Sequence, residues 1–200
     1  MNSQFGVVLF LALLMMAGAA DAQEVIINEV MASNATTLTD EDGDNEDWIE
    51  LYNHGNEDIS LKGFGLSDDY DDPFRWQFPD VTIRAGEYLL VWASGKNRRD
   101  PEEPLHTIFS ISSAGEEVLL TDPDGTLLDE LAPTHIPTDI SIGRLPNDLE
   151  NWFFFDQPTP GEPNTTGHWQ GIADPPVFSH TRGFYDSPFY LELDGADGQA

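Results

Sequence analysis

Glu117-Val-Leu-Leu-Thr-Asp-Pro-Asp-Gly-Thr-Leu-Leu128 sets two short apolar runs on either side of a tight reversal. Pro123 presets φ at the second turn position, and Asp124-Gly125 tolerates the positive φ that such a reversal needs. The flanks Val118-Leu-Leu120 and Leu127-Leu128 therefore read as a β-hairpin. The same punctuation recurs outward in both directions. Short β-branched and aromatic runs alternate with Gly, Asp, Asn and Pro, and no helical period of useful length follows the N-terminal stretch. Strands are expected at Val25–Val30, Trp48–Tyr52, Phe64–Leu66, Arg75–Phe78, Tyr88–Ala93, Glu117–Leu120, Leu127–Leu131, Ser141–Arg144 and Trp152–Phe155. Within Asp47-Trp-Ile-Glu-Leu-Tyr52 the strand period puts Ile49 and Leu51 on one face and Glu50 on the other. Many short strands at this spacing imply an all-β chain, a sandwich in preference to a barrel.

Pro158-Thr-Pro-Gly-Glu-Pro-Asn164 closes this domain, because so many prolines exclude central strand pairing. The expected order is a domain over 23–164, a polar linker over 165–174 and an incomplete β segment over 175–200. In that last segment Phe189–Leu193 reads as a strand, and two strands cannot bury a core.

The chain has 200 residues with 37 Asp and Glu against 8 Lys and Arg, a formal charge of -29. So acidic a surface excludes nucleic acid and disfavours anionic membranes, and it leaves cations as attractive partners. There is no cysteine, hence no disulfide, thiolate metal site or cysteine nucleophile. An apolar fraction of 40 % with 11 % aromatic residues separates it from a disordered acidic tail. Gly6–Ala20 is an apolar stretch of signal-peptide length, and Ala20-Asp-Ala22 offers small residues for cleavage before Gln23. The competing reading, a membrane anchor, needs roughly 20 spanning residues. Residues 1–22 are therefore expected to be a signal peptide. The mature chain is then secreted or held at the cell surface, with no membrane insertion after cleavage.

Several stretches resemble the lamin tail domain in its secreted bacterial form: Ile26-Ile-Asn-Glu-Val-Met-Ala-Ser33, Asp47-Trp-Ile-Glu-Leu-Tyr-Asn53, Ile59–Asp68, Gly86–Ala93, Leu105–Ser110, Gly115–Gly125 and Thr159-Pro-Gly-Glu-Pro-Asn164. The resemblance runs over about 24–164 and implies an immunoglobulin-like β-sandwich that serves as a non-catalytic interaction or attachment module. Ile108 departs from it, where relatives often carry Asn after His-Thr. Pro176–Asp186 resembles the opening of a chitobiase C-terminal-type, fibronectin-like domain. Such pairings imply a large secreted protein, sometimes with a spore-coat-kinase-like enzyme downstream.

Chemistry concentrates in Asp40-Glu-Asp-Gly-Asp-Asn-Glu-Asp47. These carboxylates repel one another unless a cation or water screens them. Ca2+ is the natural candidate, a hard ion taking oxygen ligands, with Asp40, Asp42, Asp44 and Asp47 as its ligands. The alternative is a solvated acidic loop. An EF-hand is excluded, since counting from Asp40 the glycine position holds Asn45 and the bidentate position Leu51. Asp68-Asp-Tyr-Asp-Asp72 is a second acidic connection, and Lys96 with Asn97-Arg98-Arg99-Asp100 is a small basic island offsetting local acid. Asn34-Ala-Thr36 and Asn164-Thr-Thr166 are glycosylation acceptors in a eukaryotic host. His54, His106, His135, His168 and His180 are scattered, and no hydrolase, metalloprotease or nucleotide-binding motif is present. The expectation is a non-enzyme whose partner is a protein or cell-surface component. A carbohydrate-binding accessory module of a secreted hydrolase is the alternative. Tryptophan separates them: Trp48, Trp76, Trp92 and Trp152 are expected in the core, Trp169 exposed, and a row of exposed tryptophans would favour sugar.

Overall fold

The computed structural model describes residues 24–172 and 177–194. The signal peptide expected over 1–22 lies outside them. The described residues contain strands and no α-helix. In chain order the strands are β1 (Val25–Met31), β2 (Asp47–Asn53), β3 (Ile59–Ser60), β4 (Gly65–Ser67), β5 (Trp76–Gln77), β6 (Thr82–Ile83), β7 (Tyr88–Ala93) and β8 (Leu105–His106). They continue with β9 (Val118–Thr121), β10 (Leu127–Leu131), β11 (Ser141–Leu145), β12 (Asp148–Phe155), β13 (His168–Trp169), β14 (Val177–Phe178) and β15 (Leu193–Asp194).

A seven-stranded sheet in the order β13-β12-β11-β1-β2-β7-β8 faces a four-stranded sheet in the order β10-β9-β4-β5. The hairpin is built as its turn chemistry requires. Gly125 has φ +89°, and the Asp122 side chain accepts from the N–H of Asp124 at 2.9 Å and of Thr126 at 2.8 Å. Between the sheets lies one core, with Ile27, Val30, Ile49, Leu51 and Val91 from the large sheet against Leu66, Trp76, Val118 and Leu120 from the small one. Each fully buried large apolar side chain stabilises by roughly 1.5–3 kcal/mol, and with no disulfide this burial carries the fold.

The outer face of the large sheet positions the rest. A register shift between Ile27 and Glu29 places an extra residue, Asn28, in β1. Without it the strand period would turn Glu29 into the core. With it Glu29 stands opposite Glu50, and Met31 opposite Trp48, on the outer face. Across β1, β2 and β7 that face carries an apolar group of Met31, Trp48 and Trp92 with Leu38 and Leu90, then the Glu29–Glu50 pair, then Tyr52 and Tyr88 stacked at 4.5 Å.

The structure departs from expectation at the small pieces. The two-residue strands β3, β6 and β8 have no pattern of their own and exist only because a partner lies beside them. The stretch expected as linker over 165–174 carries β13, which pairs with β12, and Trp169 stacks on Phe154 at 6.2 Å instead of standing exposed. The strand expected at Phe189–Leu193 forms only at its end, where Leu193–Asp194 pairs with Val177–Phe178.

Candidate functional site

Asn34 organises the loop between β1 and β2. Its side chain donates to the carbonyls of Leu38 and Glu46, at 2.6 and 2.8 Å, and accepts from the Thr37 hydroxyl at 2.7 Å. Further along, Gly43 at φ +86° permits a wrap in which the Asp40 carboxylate accepts from the N–H of Asp42 at 3.0 Å and of Asp44 at 2.9 Å. This turns three carboxylates toward one point, and Lys96 Nζ occupies it. The ammonium contacts Asp40, then Asp44 at 2.8 Å, Asp42 at 3.0 Å and Glu46 at 3.4 Å. Arg98 closes the outer side on Glu41 and on Asp42 at 2.5 Å. Beneath, His106 is wholly buried, with Nδ1 2.8 Å from the Ser94 hydroxyl and Nε2 3.0 Å from Glu41.

The electrostatics follow from these partners. Burial pushes the Asp40 carboxyl up, but Lys96 and the two N–H donors outweigh it and hold it below its ordinary value. Burial likewise raises Glu41, and its own backbone N–H, His106 and Arg98 together bring it below the usual range. Arg98 and Lys96 lower Asp42. Of the ligands expected for calcium, then, Asp40, Asp42 and Asp44 are brought together. Asp47 is not among them: it accepts the Asn34 N–H at 3.1 Å at the base of the loop, where burial pushes it up to about 6. The second acidic run is separate, with Asp68 held by Arg75 at 2.5 Å.

A different acid site lies under Pro158–Asn164. Glu29 and Glu50 are both fully buried. Glu29 accepts from the Ser141 hydroxyl and from the Thr159 N–H at 3.3 Å. Glu50 accepts from the Asn28 side chain at 2.8 Å and from the Gly161 N–H. Asn164 pins the end of this strap, donating to the carbonyl of Arg144 at 3.0 Å and of Asn28 at 3.3 Å. Gly143 makes room for it, since a Cβ there would meet the Asn164 amide at 2.6 Å. Burial, with the neighbouring Glu50 adding to it, pushes the Glu29 carboxyl up to about 8. Burial pushes Glu50 up to about 7 against the donors that favour its charge.

A family model for the lamin tail domain matches residues 18–135. The chain belongs to the lamin tail domain family. Its sandwich is accordingly immunoglobulin-like, a fold consistent with a non-catalytic interaction module. The match ends before β11, yet β11 lies between β1 and β12, so the lamin tail sandwich of this chain extends beyond the matched span. No curated protein matches the chain.

Sequence reasoning left Glu29, Glu50 and His106 without a role in this lamin tail domain. A carboxylate inside each of two apolar strands was the available signal for the pair. His106 carried none, because its partners come from distant loops. The two glycosylation acceptors are closed: Asn34 and Asn164 are 7 % and 1 % exposed, with their amides engaged inside the fold.

Proposed function

We propose that this lamin tail domain is a non-catalytic module of an exported protein, serving protein or cell-surface attachment within a larger multidomain chain. The state of its tryptophans carries the reading. Trp48 and Trp76 are fully buried and Trp92 is 5 % exposed. Trp152 is covered by the Arg144 guanidinium at 4.4 Å, and Trp169 lies on Phe154. Among the described residues no row of tryptophans is left exposed on a sheet face for sugar stacking, which favours attachment over carbohydrate binding. Pro176–Asp186 supports the multidomain part as the opening of a fibronectin-like module.

The labelled full chain, incubated with cells of its host and separately with insoluble chitin and cellulose, tests this. Saturable, protease-sensitive retention on cells, with none on the polysaccharides, is the expected result. Saturable retention on either polysaccharide would replace it with the carbohydrate-binding reading. Calcium is a separate arm of the same reading. Lys96 already supplies a cation to Asp40, Asp42 and Asp44, which supports an internal clasp. Calcium is therefore expected to leave the melting temperature flat. A saturable rise, lost in Asp42→Asn with Asp44→Asn, would make the loop a calcium site.

A further inference from the structure

Glu29 and Glu50 stand directly opposite each other on antiparallel strands. At such positions Cβ atoms are about 4.5–5.5 Å apart, so two charges there, out of water, repel strongly. Nothing positive offsets them. Among the described residues no lysine or arginine ion-pairs with either carboxyl. Asn28 from β1, Ser141 from β11, Tyr52 and Tyr88 from β2 and β7, and Glu162 from the strap face or adjoin the pair, and each is neutral or acidic. Arg144 offers this side only its carbonyl, its guanidinium being held on Asp129 at 2.7 and 2.8 Å.

The strap depends on the same two carboxyls. The Thr159 and Gly161 N–H groups end on Glu29 and Glu50 respectively, whereas Asn164 is anchored to backbone carbonyls that do not titrate. The first half of the strap thus has its N–H groups on acid groups, with the Thr159 hydroxyl also donating to the Asn164 side chain at 2.7 Å, and the second half is pinned to carbonyls. We propose that Thr159–Asn164 is a proton-operated latch, closed on the large sheet while the Glu29–Glu50 pair carries at least one proton, and lifted about Asn164 when both are ionised. Lifting lets water reach the carboxylates, which relieves both repulsion and desolvation. The raised values of about 8 and about 7 agree in sign, since closing then takes up protons and is disfavoured as pH rises.

Amide exchange in the ¹⁵N-labelled full chain, corrected for intrinsic rates between about pH 5 and pH 9, tests the latch. Protection at Thr159 and Gly161 is expected to fall by up to about tenfold per pH unit between the ordinary carboxyl range and the pair's raised values of about 7 and about 8, and to level off above them, while amides of β9 and β7 hold theirs. Glu50→Gln keeps an acceptor for Gly161 and removes the repulsion, so it should hold the strap closed across the range. Should that variant not fold, carboxyl ¹³C titration of the wild-type chain decides: the Glu29 and Glu50 midpoints must coincide with the Gly161 amide transition. Protection at Gly161 that is independent of pH would overturn the proposal. So would a loss shared equally by the core strands, or carboxyls titrating in the ordinary range.

Discussion

The Asp40 cluster and the Glu29–Glu50 pair solve one problem in opposite ways. Both contain buried carboxyls, Asp40 in the first and Glu29 with Glu50 in the second. The first brings in Lys96 and Arg98, and Asp40, Glu41 and Asp42 are held below their ordinary range. The second has no lysine or arginine paired to it, and its acids are pushed above that range. Burial acts upward on Asp40, Glu29 and Glu50 alike. What differs is whether a loop can deliver a flexible ammonium, which the Lys96 segment does at the sheet's end and which Pro158–Asn164 does not. A chain this acidic can keep a proton where it lacks a lysine.

Removing the cation breaks the comparison most sharply. Lys96→Met leaves the Asp40 carboxylate buried beside Asp42, Asp44 and Glu46 with its principal partner gone. Loss of one member of a buried pair costs about 3–5 kcal/mol, and the partial exposure of the cluster brings the expected loss to about 3 kcal/mol, read by urea denaturation. Millimolar calcium should restore part of it in the variant. An unchanged midpoint would mean that Lys96 does not neutralise the cluster.

The corresponding blow to the other site is steric. Gly143→Ala puts a Cβ against the Asn164 amide and the Asn28 carbonyl, at 2.6 and 2.9 Å, and is expected to cost about 2 kcal/mol. Amide exchange should show the loss centred on the strap, with the Asp40 loop unaffected. A loss spread evenly over both would deny Gly143 its local role.

Acid and base then pull the two sites apart. Glu29 and Glu50 bind protons more tightly folded than unfolded, so their contribution is full below about pH 4.5 and is lost as pH climbs through about 7 to 8. Asp40, Glu41 and Asp42 are held low, so theirs is present above the unfolded range and lost as pH falls through their folded values. Stability should peak near about pH 5. Urea midpoints at mildly acidic, neutral and alkaline pH measure this, and a plateau through the alkaline range would contradict it. Glu29→Gln should flatten the alkaline limb alone.

Salt gives the smallest effect. Arg98, Asp42 and Asp44 are partly exposed, and ions screen exposed pairs more than buried ones. Salt also screens the self-repulsion of a chain at -29, so the effect is a difference: raising sodium chloride should raise the melting temperature less in the wild-type chain than in Lys96→Met. It should leave the pH at which the Gly161 amide changes nearly fixed.

Much of the fold was legible because its signals are local. Asp122-Pro-Asp-Gly125 makes its turn from its own side chains and glycine, so the hairpin follows from the four residues that form it. Tyr88–Ala93 is a short apolar and aromatic run, and β7 spans those residues. The acid loop was legible as a concentration of charge. What was not legible depends on partners far away in the chain. Lys96 lies 56 residues beyond Asp40, and His106 lies 65 beyond Glu41. Alternation at Glu50 marked a second face, but not that residues 111 positions later would seal it.

By itself, the sequence determined an all-β chain, its main strands and its hairpin turn, because hydrophobic period and turn chemistry act over a few residues. Only the tertiary structure decided which carboxyls are pushed above their ordinary range and which are held below it. Ionisation depends on burial and on the nearest opposite charge, and both are properties of neighbours in space.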